Sequence, residues 1–156
     1  MKTILLPALA ISLALAATPA TLAAEAHGHD GHGALQLQLD QGKKWATDAP
    51  LRQGMTLIRA ALAQNEPAIR NGRLSAEQYQ VLGATVEHHV ARIVAECKLP
   101  PEADANLHVI VAELAAAADA MQGRSAEKPA TGAKRAVNAL GQYAAHFDHP
   151  GWKRIA

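Results

Sequence analysis

The sequence predicts an all-α protein, an up-down-up-down four-helix bundle placed after a signal peptide and a flexible arm rich in His and Gly. Three observations predict it. Apolar residues recur at three- and four-residue steps, the spacing of an amphipathic helix. Val, Ile and Thr never gather into the alternating runs of a strand. Four such stretches are separated by polar breaks, the first two short enough to turn each helix back antiparallel to the last.

The first helix is expected over about residues 48–70, with Asp48 as N-cap, Pro50 in the first turn and an inward stripe of Leu51, Met55, Ile58, Leu62 and Ile69. Pro67 should kink or shorten its last turns, because proline removes a backbone donor and crowds the preceding turn. The second helix, about 75–99, opens on Ser75 and Gln78 as a capping box with Leu74 and Tyr79 as a hydrophobic staple. Its stripe is Tyr79, Leu82, Val86, His89, Ile93 and Cys97, and Pro100-Pro101 ends it. The third, about 102–121, turns Leu107, Ile110, Val111, Leu114, Ala118 and Met121 inward. A polar loop from Gln122 to Gly132 leads to the fourth, about 133–147, which carries Val137, Leu140, Tyr143, Ala144 and Phe147 before His149-Pro150-Gly151 breaks it.

Ahead of these helices, Lys2, an apolar run from Ile4 to Ala17 and a stretch of small residues read as a signal peptide over 1–24, with the cut as late as Ala26. Residues 25–44 form the expected mobile arm, in which Leu35, Leu37 and Leu39 alternate and could lie extended along the bundle, and 45–156 form the bundle. Export would place the protein in the periplasm, and no later segment reaches the roughly 20 apolar residues of a spanning helix, so no membrane insertion is expected. With Lys2 removed, 14 basic residues face 14 acidic ones, which offers no basic footprint for nucleic acid. Cys97 is the lone cysteine, so intramolecular disulfides are excluded and pairing between two copies, a homo-oligomer, is what it offers.

Antiparallel order would gather the chemistry-bearing residues at one end. At about 1.5 Å rise per residue, Met55 and His108 fall about 10 Å below that end and His89 about 15 Å, with Cys97 and His146 nearer the rim. Thioether, imidazole and thiol are ligand types that suit copper, and bundles build metal sites from facing helices. Each has a plainer reading: Met55 as core filler, Cys97 as a small hydrophobe, His89 as a seam histidine that needs a hydrogen bond, a metal or a cofactor. A second cluster is His27-Gly-His29-Asp30-Gly-His32. A cut behind Ala24 would set a free amine, two amides and the His27 ring in the square plane that Cu(II) favours, and a cut behind Ala26 would make His27 itself the chelating terminus.

Haem b is the rival cofactor. Cys-x-x-Cys-His is missing, but Met55 with His146 or His149 resembles the axial pair of four-helix b-type cytochromes. The alanines at 115–118 and 144–145 would leave room for a porphyrin or, equally, pack helices closely. No cofactor at all is the third alternative: a structural or partner-binding bundle that docks another periplasmic protein through Trp45 and Trp152. Nothing poses a nucleophile beside a base, so no enzyme is expected.

Three stretches carry a resemblance: Lys44-Trp45-Ala46-Thr47-Asp48-Ala49-Pro50-Leu51-Arg52-Gln53-Gly54-Met55, then Cys97-Lys98-Leu99-Pro100-Pro101-Glu102-Ala103-Asp104 with Leu107-His108, and Phe147-Asp148-His149-Pro150-Gly151-Trp152. Together they resemble a family of small exported proteobacterial proteins without an established activity, sometimes labelled DnrO protein. The resemblance covers most of the chain behind the leader and implies a location for the motifs at one end of the bundle, with no ligand assignment.

Overall fold

The computed structural model describes residues 36–155, so the predicted signal peptide and the histidines at 27, 29 and 32 lie outside the described residues. The fold is all-α: α1 (Ala49–Gln64), α2 (Glu66–Arg70), α3 (Ala76–Glu96), α4 (Pro101–Met121) and α5 (Pro129–His146). Among the described residues no helix is long and apolar enough to cross a membrane.

The caps explain the boundaries. Asp48 accepts from the Leu51 N–H and starts α1. The expected long first helix breaks at Asn65, because Pro67 cannot carry the ladder on and instead sits in the first turn of the separate α2. Ser75 and Gln78 close the predicted capping box on α3, with bonds of 3.1 and 2.8 Å. That helix stops at Glu96, earlier than expected: Cys97 is already extended, and the Lys98 N–H is donated to Asp48 instead of up the helix. The largest correction is α5, expected near Ala133 but opened by Pro129, whose locked φ and missing N–H suit the first helical position.

The stripes meet in one core. Leu51, Met55, Ile58, Leu62, Val86, Leu114, Tyr143 and Phe147 are all sealed from solvent, and of the predicted stripe residues only His89, Cys97, Val111 and Val137 stay partly exposed. Burying one such side chain is worth about 1.5–3 kcal/mol. The main seams run α1 to α3, α3 to α4 and α4 to α5, while α1 and α5 meet over a shorter one. The α4–α5 seam is built from small residues: Ala117 and Ala120 lie against Gly132, with Ala133, Ala136 and Ala139 of α5 also buried, while the Ala118 carbonyl meets Gly83 of α3. A Cβ on Gly132 would stand 2.6 Å from the Ala120 Cβ and 2.9 Å from the Ala117 carbonyl oxygen. Ala117 and Ala118 are thus spent on close helix packing, the second of the two uses the sequence left open.

Residues 36–44, assigned to a mobile arm by sequence, are fastened. Leu37 packs on the core, the Gln38 N–H donates to Asn106 Oδ1 at 2.7 Å, and Lys44 Nζ donates to the Ala144 carbonyl at 2.7 Å. Asp40 and Lys43 close a tight turn through Gln41 and Gly42, both at positive φ, where glycine carries no steric penalty.

Candidate functional site

The three motif stretches converge, joined by hydrogen bonds and a bridge among them. The Trp45 N–H donates to the His146 carbonyl and the Trp45 carbonyl accepts from the Asp148 N–H, each at 2.8 Å, which lays Trp45 parallel to Phe147. Thr47 Oγ1 donates to the Asp148 carbonyl at 2.6 Å. Arg52 donates to the Thr47 carbonyl and, at 3.1 Å, to its hydroxyl.

Asp48 joins the first stretch to the second. One carboxylate oxygen accepts from Leu51 at 2.9 Å, the other from the Lys98 N–H at 2.6 Å. Asp48→Ala removes both bonds at once and is expected to cost about 2 kcal/mol, the upper end of the N-cap range, read as the shift in a urea unfolding curve. Asp48→Asn keeps one acceptor and should cost about half of that.

At the centre lies an aromatic cluster. Tyr143, fully buried, stacks on Phe147 at 5.3 Å and takes Trp152 edge-on at 5.0 Å. The half-buried His149 places Nδ1 2.9 Å from the Tyr143 hydroxyl and Nε2 3.5 Å from Thr56 Oγ1, with its ring 4.9 Å from Trp152. Burial pushes the Tyr143 phenol far above its ordinary value. Burial also holds His149 below the usual imidazole range, helped by the Arg52 guanidinium and opposed by Asp148. With no other hydrogen-bond partner for the buried Tyr143 hydroxyl among the described residues, its proton is satisfied only if Nδ1 accepts it, which assigns the neutral ring's own proton to Nε2, facing Thr56.

The predicted metal ligands are spread out. Met55 has no exposed surface and sits among core side chains. Cys97 is the half-buried C-cap of α3, its thiol pushed up by burial and by the Asp48 and Asp104 carboxylates. His89 lines a recess of about 10 Å³ with Gly54, Leu57 and Glu96. Its Nδ1 is buried and finds no hydrogen-bond partner among the described residues, and burial, then His88 and Arg92, push its pKa down. His108 on α4 and His146 on α5 each set Nδ1 against the carbonyl one turn back, Asp104 at 2.9 Å and Gln142 at 2.8 Å. That bond fixes a ring with Nε2 facing away, the orientation a metal-ligating histidine uses. Among the described residues, however, no three His, Cys, Asp or Glu side chains come together. Of the haem pair, Met55 is sealed in the core and His149 is bonded to Tyr143 and Thr56. Both tryptophans are partly exposed: Trp45 Nε1 donates to the Gln38 carbonyl at 2.7 Å, and Trp152 packs on the core.

Sequence reasoning missed the roles of Tyr143, Thr56 and Arg52. Tyr143 read as a stripe residue, and its hydroxyl, which needs a partner once buried, was the available signal. Comparison of the chain with family models, with curated proteins and with solved structures finds no match.

Proposed function

We propose that this is an exported, non-catalytic periplasmic protein that takes up copper through its histidine-bearing N-terminal segment, carried on an up-down-up-down four-helix bundle. The observation that carries the reading is the run His27-Gly-His29-Asp30-Gly-His32 beside the predicted signal cut. After a cut behind Ala24, the Glu25 amine, two amides and the His27 ring form a square-planar donor set, and His29 and His32 supply further imidazoles. The isolated placement of Met55, His89, Cys97, His108 and His146 favours the segment over the helices as the copper site. The seams between α1 and α3, α3 and α4, and α4 and α5 support the bundle. Kinship with the small exported family that the three motifs resemble belongs to the same proposal.

Protein recovered from the periplasm, with its mature N-terminus fixed by mass, tests this by calorimetric titration with Cu(II). The expected result is uptake of about one equivalent per chain, abolished by the triple change His27→Ala, His29→Ala and His32→Ala with thermal unfolding unchanged. No uptake, or uptake indifferent to the triple change, overturns it. A Soret band on haem addition would replace copper by the haem b alternative. A second reading, docking of a periplasmic partner, is favoured by the partial exposure of Trp45 and Trp152.

A further inference from the structure

The shorter seam between α1 and α5 is covered by the C-terminal strap, residues 147–155. Phe147 is fastened to Trp45, the Asp148 carbonyl to Thr47, and His149 lies between Tyr143 of α5 and Thr56 of α1. A turn through Gly151 at φ +76°, closed by the Trp152 N–H on the His149 carbonyl at 3.0 Å, brings Trp152 down on Tyr143. The Lys153 carbonyl then accepts from Arg59 of α1, and Ile155 packs on the core. The strap thus bridges α5 and α1 beside their direct contacts, with His149 at its middle.

We propose that this strap is a proton-operated latch, held shut over the α1–α5 seam by the neutral His149 ring between Tyr143 and Thr56. The geometry sets the response. In the closed state Nδ1 accepts the Tyr143 hydroxyl, and no other hydrogen-bond partner of that buried hydroxyl is found among the described residues. A proton arriving on Nδ1 takes the acceptor away, so the hydroxyl can only accept from the ring N–H and its own proton is left without a partner at the buried Tyr143. The charged and titratable groups that face the ring are Arg52 on α1, Tyr143 on α5 and Asp148 on the strap itself, with Asp48 acting on Tyr143 from the start of α1. Arg52 repels an imidazolium and Asp148, exposed to solvent, offsets part of that repulsion.

The sign follows. The closed state holds His149 below its ordinary pKa, so the open state binds the proton better. Closure is therefore fully stabilised above the ordinary imidazole value and weakens as pH falls through it, with the whole loss reached below the depressed value of the closed state. Opening would bare Tyr143 and the core side chains beneath Trp152 and Ile155.

Amide hydrogen exchange on the full chain tests the latch between about pH 8 and pH 5, the range in which an imidazole changes charge. After correction for intrinsic exchange, protection of the Asp148 and Trp152 amides is expected to fall roughly tenfold on acidification while the amides of α3 and α4 hold. His149→Gln, which cannot take the proton, should make strap protection independent of pH. Strap protection that persists to about pH 5 in the unaltered protein, a loss shared equally by α3 and α4, or an acid response that survives His149→Gln overturns the proposal.

Discussion

Met55→Ala is expected to destabilise the protein by about 2–5 kcal/mol and Met55→Leu by less than about 1.5 kcal/mol, measured as urea unfolding free energies. The first change leaves a cavity where Met55 lies with no exposed surface against Ile58, Leu51 and their neighbours in the core. The second keeps volume and removes only the sulfur. The pair separates two roles that one position could hold. If Met55 is a core side chain, the leucine variant takes up as much copper as the parent. A leucine variant that folds normally but loses copper would make the thioether a ligand and move the metal site into the helices.

Gly132→Ala and Gly141→Ala are expected to change stability in opposite directions. Alanine is the better helix former by about 1 kcal/mol, so either change in an open helix should stabilise. At Gly141, which is exposed and has nothing within 4 Å of a new Cβ, a gain of about 0.5–1 kcal/mol is expected. At Gly132 the same methyl meets the Ala120 Cβ at 2.6 Å and the Ala117 backbone oxygen at 2.9 Å, and neither can swing aside. The helices must part, at a cost of about 1–3 kcal/mol despite the better propensity. Two equal or two positive shifts would mean that α4 and α5 do not approach as closely as the backbone places them.

The four apolar stripes were legible because burial of a helix leaves its mark every third and fourth residue. Leu51, Leu82, Leu114 and Leu140 each fall on the expected face. The Ser75–Gln78 cap was legible because both partners lie within one turn. What stayed hidden depends on partners far along the chain. Asp48 looked like a complete N-cap, and nothing near it signals that its second oxygen holds Lys98. Pro129 resembled a loop residue, since only the contacts of Gly132 with α4 fix where that helix must start. His149 looked like part of a helix stop, yet the turn that follows returns the chain to Thr56. For the candidate site, residue types were readable and their convergence was not: a histidine on a stripe says nothing about which ring faces it from another helix.

The main-chain bonds of Trp45 with His146 and Asp148, and the Thr47 bond that spans 101 residues, tie the front of the described fold to its back. A loop of that length adds little to the equilibrium cost of closure, because that cost grows only with the logarithm of length. It matters more for timing. A chain made from its amino end has α1, α3 and α4 before it has anything for Trp45 to pair with, so the Trp45 and Thr47 pairings form only after α5 is made, although Gln38 can already meet Asn106 of α4. A copy that stopped short of Phe147 would keep most of its helices and leave both polar groups of Trp45 without their native partners. The pairing therefore joins the segment before α1 to the one after α5, and forms only when both are present.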